Sequence, residues 1–297
     1  MSLPYHLVIK GDLVVIGKEP DGDSVRFIAD NAALYQELRN GHRVRETKSD
    51  GSVQLRFEGV DAPELHYGTF AQPLGERARN ELLRWIGFSH LEYEPGSTKV
   101  TSSQPASIRA AILSKAVEVN GRPVAFVLLE AQSRRLRDGA GVVLDRALLE
   151  RTLNWRLLTS GMAYYTVYSS TPLRSSLRAA ASQARRANGG RGRGVWAIDS
   201  TSEYKLVDQD SIGPSGALIL PKLFRRSSDY LKAVANEGFM GNLADWMIAM
   251  SMTPYRSEND AVVLPGGIEV HLSDLISQRN ATIVFQPDLL DIVFVEK

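Results

Sequence analysis

Val53, Leu55 and Phe57 alternate with Gln54, Arg56 and Glu58. That is the period of a strand with one buried face, and it turns Arg56 away from the apolar side. Two earlier apolar stretches, 7–16 and 24–28, flank the turn-forming EPDGD, so they also predict strands. Between the second and third strands, 31–40 predicts a short helix ending at Gly41, and Asp50-Gly51 predicts a polar hairpin. Residues 72–86 place Leu74, Ala78, Leu82 and Trp85 near one stripe and stop at Gly87, the pattern of a helix. The polar stretch 95–107 reads as a long loop. After it, VEVNGRPVAFVLLE predicts a hairpin, because Asn-Gly between strand-like runs favours a tight type I′ turn, with Arg122 at its mouth. The arginine-rich QSRRLRDGAG then leads to predicted helices at 145–159 and 173–187. The second of these ends in NGGRGRG before Val195-Trp196. Beyond a polar stretch at 197–210 the pattern predicts helices at 221–237 and 243–250. Short strands follow at 261–264, 268–271, 281–285 and 292–295. The boundary between two domains, 1–205 and 211–297, is expected near 211–215, and the second reads as a small α+β unit.

Composition changes this picture little. The 297 residues are 43% hydrophobic and 23% charged, which excludes a disordered or collagen-like chain. No apolar run reaches the roughly 18 residues that cross a bilayer, so no membrane partner is expected. The first residues lack the basic and apolar regions of a signal peptide. A secreted chain with its signal removed would read the same way as a cytoplasmic one, so compartment stays open. The absence of cysteine removes disulfides, thiolate metal sites and cysteine nucleophiles. Charge is more informative, since the net +1 is unevenly spread. Residues 1–200 hold 27 Lys and Arg against 21 Asp and Glu, and residues 201–297 hold 8 against 13. A basic first part suits a polyanion, although unevenly solvated faces give the same split.

Candidate chemistry falls at strand ends. Asp21 and Asp23 lie in the first turn, and Asp61 and Glu64 follow the third strand. Hard divalent cations take several oxygen ligands. Pro63 holds Ala62 extended, which presents the Ala62 carbonyl as a further ligand. Taken singly, DGD and DAPE are equally plain turns. A phosphodiester gathers negative charge on the way to its transition state, and planar guanidinium forks suit it. Arg56 stands five residues before Asp61, and Arg122 stands at the hairpin mouth. The five histidines show no ligand spacing. His66, just after the DAPE turn, reads as a substrate contact or a surface imidazole. RRLR at 134–137 and RGRG at 191–194 read as phosphate-tracking segments or as solvated loops.

In chain order, DGDSV, RFEGVDAPE, QPLGERA, NGRPVAFV, LNWRLLTSGMAYYTVY and a helix ending in RGRGVWA resemble the staphylococcal nuclease (thermonuclease) family, over about residues 5–198. The resemblance implies a β-barrel plus helices, namely a five-stranded OB-type barrel with three helices packed on it. It also implies a Ca²⁺-dependent phosphodiesterase acting on DNA, RNA or both. Carried across by motif, Asp23 and Asp61 would bind the metal with the Ala62 carbonyl, and Asp21 would support that site. Glu64 would be the general base that activates or orients water. Arg56 and Arg122 would bind the phosphate and stabilise its developing charge. The tyrosines that stack on a base in this family fall near Tyr164, Tyr165 and Tyr168, where core packing is an equal alternative. Insertions at about 29–50, 95–115 and 131–147 depart from the family pattern and bear on access to the cleft.

The leading expectation is therefore a metal-dependent nuclease. The alternative is a nucleic-acid-binding or scaffold protein that uses the same barrel without chemistry, as degenerate family members do. Loss of Glu64 or of either arginine would have favoured it, and all are present. The acidic last third contains no chemical motif. A partner of unknown kind is open to it, and removal of residues after about 210 is expected to leave a working nuclease module.

Overall fold

The computed structural model describes residues 5–188, 194–252 and 258–296. Contacts divide the chain into two compact units, one of residues 1–60 with 77–159 and one of 61–76 with 160–297. The segment 61–76, which carries Asp61 and Glu64, therefore packs with residues from the last third of the chain.

The first unit is built on a nearly closed, barrel-like mixed sheet. Strands β1 (His6–Val14), β2 (Arg26–Ala29), β3 (Val53–Gln54) and β4 (Arg56–Phe57) are followed by β5 (Val60–Asp61), where the chain passes between units. Helix α1 (Gly75–Ile86) leads to β6 (Ser89–Tyr93), β7 (Val100–Gln104), β8 (Ser107–Val117), β9 (Pro123–Leu129) and β10 (Gly141–Val142). The sheet order is β3-β2-β1-β8-β9-β4, with β10 also on β1. All its pairings are antiparallel except β4 with β9, which is parallel. Only Leu55 separates β3 from β4, yet the two lie at opposite ends of this order, which is what brings the sheet close to closure. The alternation behaves as expected: Val53, Leu55 and Phe57 are buried, whereas Arg56 is half-buried. They join Ile9, Leu13, Phe27, Ile112, Phe126 and Val127 in the core. Gly11 is required for the β1–β2 pairing, since a Cβ there would stand 2.0 Å from the Ile28 carbonyl oxygen. Asn154 in helix α4 (Leu153–Ser160) fastens the barrel. It accepts from Val127 N at 3.0 Å and donates to the carbonyls of Glu58 at 2.9 Å and Ala125 at 3.0 Å.

Several local expectations are corrected. Within the predicted loop 95–107, β7 pairs with β6, and Val100 and Ser103 supply the buried positions. The helix predicted from 72 begins at Gly75. Leu74 has φ +65°, and the Gln72 amide is used on loop carbonyl and N–H groups instead. The single helix expected at 145–159 is two, α3 (Arg146–Leu149) and α4. The Thr152 hydroxyl donates to Leu149 O and accepts from Trp155 N, ending one helix and capping the next. A short helix, α2 (Glu130–Ser133), ends just before the arginines at 134–137. The helix expected at 31–40 is a 3₁₀ segment, Ala32–Glu37, capped by Asn31. The NGGRGRG tail falls mostly outside the described residues.

The second unit contains α5 (Arg174–Asn188), α6 (Pro221–Glu237) and α7 (Leu243–Ser251), with short strands. These are β11 (Tyr164–Tyr165), β12 (Glu203–Lys205), β13 (Ala261–Leu264), β14 (Ile268–His271), β15 (Ile276–Arg279), β16 (Thr282–Phe285) and β17 (Val293–Phe294). They form sheets ordered β12-β16-β15 and β14-β13-β17. Strands β12 and β15, EYK and ISQR, went unread because three or four residues with one apolar position each show no period. Pro221 opens α6, where a missing N–H costs nothing, and Gly238 closes it with φ +70°. A reciprocal box between Asn242 and Asp245 starts α7. Phe224, Trp246, Ile283 and Phe294 lie in the core of this unit. Among the described residues, no helix is long and apolar enough to cross a membrane.

Candidate active site

In the barrel unit, the turn after β1 folds on itself. Asp21 N donates to Ser24 O at 3.1 Å, and the Asp21 carboxylate accepts from Gly22 N at 2.7 Å. The Asp23 carbonyl accepts from Phe57 N at 3.3 Å, which ties this turn to the residue after Arg56. Arg56 in β4 pairs with Val124 in β9, two residues beyond Arg122. Parallel pairing thus sets Arg56 on the strand beside β9, which Arg122 immediately precedes, and it needs a chain closure that no local pattern encodes. Both act on Glu118, a residue the sequence reading missed. Arg122 Nε donates to Glu118 Oε1 at 2.9 Å across the hairpin. Burial pushes the Glu118 carboxyl up. The charge and hydrogen bond of Arg122, the Asn120 N–H and the Arg56 charge outweigh it and hold the carboxyl below its ordinary value.

Beside this pair opens a pocket of about 350 Å³, lined by Arg26, Arg45, Gln54, Asn120, Gly121 and Arg122. The lining has three guanidinium groups and no carboxylate. Arg26 is steadied by Thr47 Oγ1 at 2.7 Å and Ser52 O at 3.2 Å. Arg45 N donates to Gly121 O at 3.1 Å, so the segment inserted at 29–50 is fastened to the Asn-Gly turn. Gly121 has φ +84°, and a Cβ there would meet the Arg45 side chain at 2.6 Å; glycine is what lets the two segments approach. Arg26 and Arg45 were not singled out from sequence, since isolated arginines carry no signal until a fold gathers them.

In the second unit, Asp61 and Ala62 are buried, and Glu64 begins a tight loop. Glu64 N donates to Gln72 Oε1 at 3.1 Å, and Gln72 N donates to Glu64 O at 2.8 Å. The Gln72 amide also donates to Ile219 O at 2.7 Å. The carboxylates of Asp61 and Glu64 share one guanidinium, that of Arg225 in α6. Nη2 lies 3.1 Å from Asp61 Oδ2, and Nη1 is paired with Glu64 Oε1. Asp61 and Glu64 keep 4% and 12% of their side-chain surface exposed, and Arg225 keeps 19%. Burial pushes the Glu64 carboxyl above its usual range, with Arg225 opposing, Asp61 reinforcing and His66 opposing more weakly. Burial also works against the Arg225 charge, but the two carboxylates outweigh it and keep the guanidinium protonated. One guanidinium thus faces two carboxylates.

Tyr164 and Tyr165 lie in the core of this unit, and the Tyr164 hydroxyl donates to Asp199 at 2.8 Å. Core packing, the second reading of these tyrosines, describes both. Tyr168 is half-buried beside Phe294, with Lys222 Nζ 3.2 Å from its hydroxyl.

The chain matches no protein-family model and no curated protein.

The Ca²⁺ implied by the resemblance does not fit the second unit's donors as they stand. Asp61 already gives an oxygen to Arg225, and a divalent ion about 5 Å from that guanidinium is repelled by roughly 7 kcal/mol at an effective dielectric of about 20. Among the described residues, no group of three or more histidine and carboxylate side chains is arranged to hold a metal.

Proposed function

We propose that the chain is a phosphodiesterase that hydrolyses DNA or RNA, with its barrel of the OB type. The observation that supports this reading best is the arginine array of the barrel unit. Arg56 and Arg122 act on one carboxylate beside a pocket that has three guanidinium groups and no acid in its lining. Such an array suits a phosphate better than any neutral or cationic ligand. Arg56 and Arg122 are assigned to the phosphate, where they stabilise charge that grows during attack on phosphorus. Glu64 is assigned to the water, taking its proton or orienting it. A carboxyl whose affinity for protons is raised by burial is better matched to that task than an ordinary glutamate. Asp21, Asp23, Asp61 and Ala62 remain the residues the family likeness assigns to Ca²⁺. At Asp61 the counter-charge is the Arg225 guanidinium.

One observation favours the non-catalytic alternative, a nucleic-acid-binding module: Arg225 engages both Asp61 and Glu64. Incubating the full chain with single-stranded DNA and with RNA, with and without added Ca²⁺, separates the two readings. The phosphodiesterase yields shortened products, formed about 10² to 10⁴ more slowly by Glu64→Gln. Binding without any cleavage, at every Ca²⁺ concentration, would make the binding module the better reading.

A further inference from the structure

The segment 29–50 departs from the nuclease-family pattern, yet the barrel pocket is built partly from it. β2 and β3 set Arg26 directly opposite Gln54, and Arg45 reaches the same pocket from the inserted segment. That segment is knitted to the barrel. Lys18 Nζ pairs with Asp50 Oδ2 at 2.7 Å, and Asp50 Oδ1 accepts from Ser52 N at 3.0 Å and Ser52 Oγ at 2.8 Å. Thr47 N donates to Ser52 O at 2.8 Å, and the Thr47 hydroxyl accepts from Arg26. The arginines of the pocket are therefore gathered before any ligand arrives, which spares a ligand the ordering of a loop.

Their number exceeds what one phosphodiester can use. Such a group has two non-bridging oxygens, and the forks of Arg56 and Arg122 suffice for both. Arg26 and Arg45 remain, in a pocket whose lining has no acid. Its volume of about 350 Å³ falls within the roughly 300–1,000 Å³ that encloses an organic ligand. The amide nitrogen of Gln54 donates to Ser24 Oγ at 3.1 Å and that of Asn120 to Glu118 Oε2 at 2.9 Å, which leaves a carbonyl oxygen on each for a sugar hydroxyl or a base N–H. We propose that Arg26 and Arg45 form a second phosphate subsite, so that the chain selects strands with two neighbouring phosphates, one on Arg56 and Arg122 and the other in the pocket. The inference rests on reading Arg56 and Arg122 as the phosphate-binding pair of the proposed phosphodiesterase.

Calorimetric titration of the full-length chain, in chelator so that nothing is cleaved, tests the subsite with three ligands. They are a thymidine dinucleotide with one internal phosphate, the same dinucleotide with a terminal phosphate added, and a thymidine trinucleotide with two internal phosphates. A two-phosphate ligand is expected to bind about tenfold more tightly than the one-phosphate dinucleotide. Which of the two gains tells whether the pocket takes a strand end or an internal phosphate. Arg45→Gln, at an exposed side chain, is expected to cut that gain to about twofold while its affinity for the one-phosphate dinucleotide stays close to that of the wild type. Equal affinity of the wild type for all three ligands, no binding of any of them at millimolar concentration, or a gain that Arg45→Gln leaves intact overturns the proposal. These readouts are independent of turnover. A gain that Arg45→Gln removes, with no cleavage of DNA or RNA, would sink the proposed function and leave the subsite standing, and cleavage without the gain would do the reverse.

Discussion

Arg122 in the barrel unit and Arg225 in the second unit both pair with carboxylates, but the two pairs are built for different ends. Arg122 meets one acid across a hairpin turn, keeps 27% of its side chain exposed, and lines a pocket with two further arginines. Arg225 is divided between two acids that are themselves almost covered. In the barrel, cations outnumber the acid and the surplus positive charge faces a pocket. In the second unit, acids outnumber the cation and the surplus is negative. Excess positive charge thus lines the barrel pocket, whereas in the second unit the single guanidinium is taken up by its two acids. Charge bookkeeping over whole segments misses this, because the acidic last third supplies the cation and the basic first part of the chain supplies the acids.

The largest effect that would sharpen the contrast is on turnover. Glu64→Gln is expected to lower the cleavage rate of single-stranded DNA by about 10² to 10⁴ while binding is nearly unchanged. Equal rates in the two proteins would remove Glu64 from the chemistry. Next comes stability. Arg225→Gln strands two buried acids and is expected to cost about 3 kcal/mol in urea unfolding, whereas Arg122→Gln, at a partly exposed pair, should cost at most about 1 kcal/mol. Similar costs at both positions would break the comparison. Arg122→Lys keeps charge but loses the planar fork, so cleavage is expected to fall by about 10² to 10³ with the melting temperature little altered. The smallest effect is at Arg45, where Arg45→Ala should reduce the salt dependence of single-strand binding by about 0.7 in the log–log slope, the share of one phosphate contact.

The two units also differ in the sign of their pH dependence. His6, in the barrel core against Phe126, is pushed down to about 3 by burial and by the nearby Lys115 charge. A histidine depressed on folding stabilises the fold above its unfolded value near 6.5, and that stability is lost as pH falls toward 3. Roughly 3 kcal/mol should be gone by about pH 4.5. Glu64 is shifted the other way. Its contribution is present below the unfolded value of about 4.5 and is lost as pH rises through the higher folded one. His6→Phe should flatten the acid limb of a denaturation series from pH 7 to 4. An unchanged acid limb would show that His6 is not its source.

The truncation suggested by the sequence takes on a different meaning once α6 is in view. A chain ending near residue 210 loses Arg225, the Ile219 carbonyl that holds Gln72, and the Asp229 partner of Tyr67. Each of these steadies the loop that carries Glu64.

What could be read from the sequence was whatever depends on near neighbours. The alternation through Val53, Leu55 and Phe57 placed Arg56 on the outer face, because side chains of a strand point alternately to its two sides. Asn120-Gly121 marked the hairpin and put Arg122 at its mouth, but the turn is not the type I′ expected: Gly121 has positive φ and Asn120 does not, and a three-residue loop closes with Gly121 N donating to Glu118 O at 2.9 Å. The span expected for α6, about 221–237, matches the helix, which Pro221 opens and Gly238 closes. The rest was set by partners far along the chain. The break at Thr152 came from one hydroxyl used twice, and the late start of α1 from a glutamine amide drawn to Glu64 and Ile219. The pairing of Arg225 with Asp61 and Glu64 joins residues more than 160 positions apart. A sequence names the charged groups and the faces they occupy, but which acid meets which base depends on loop closures whose outcome is settled by the packing of the whole chain.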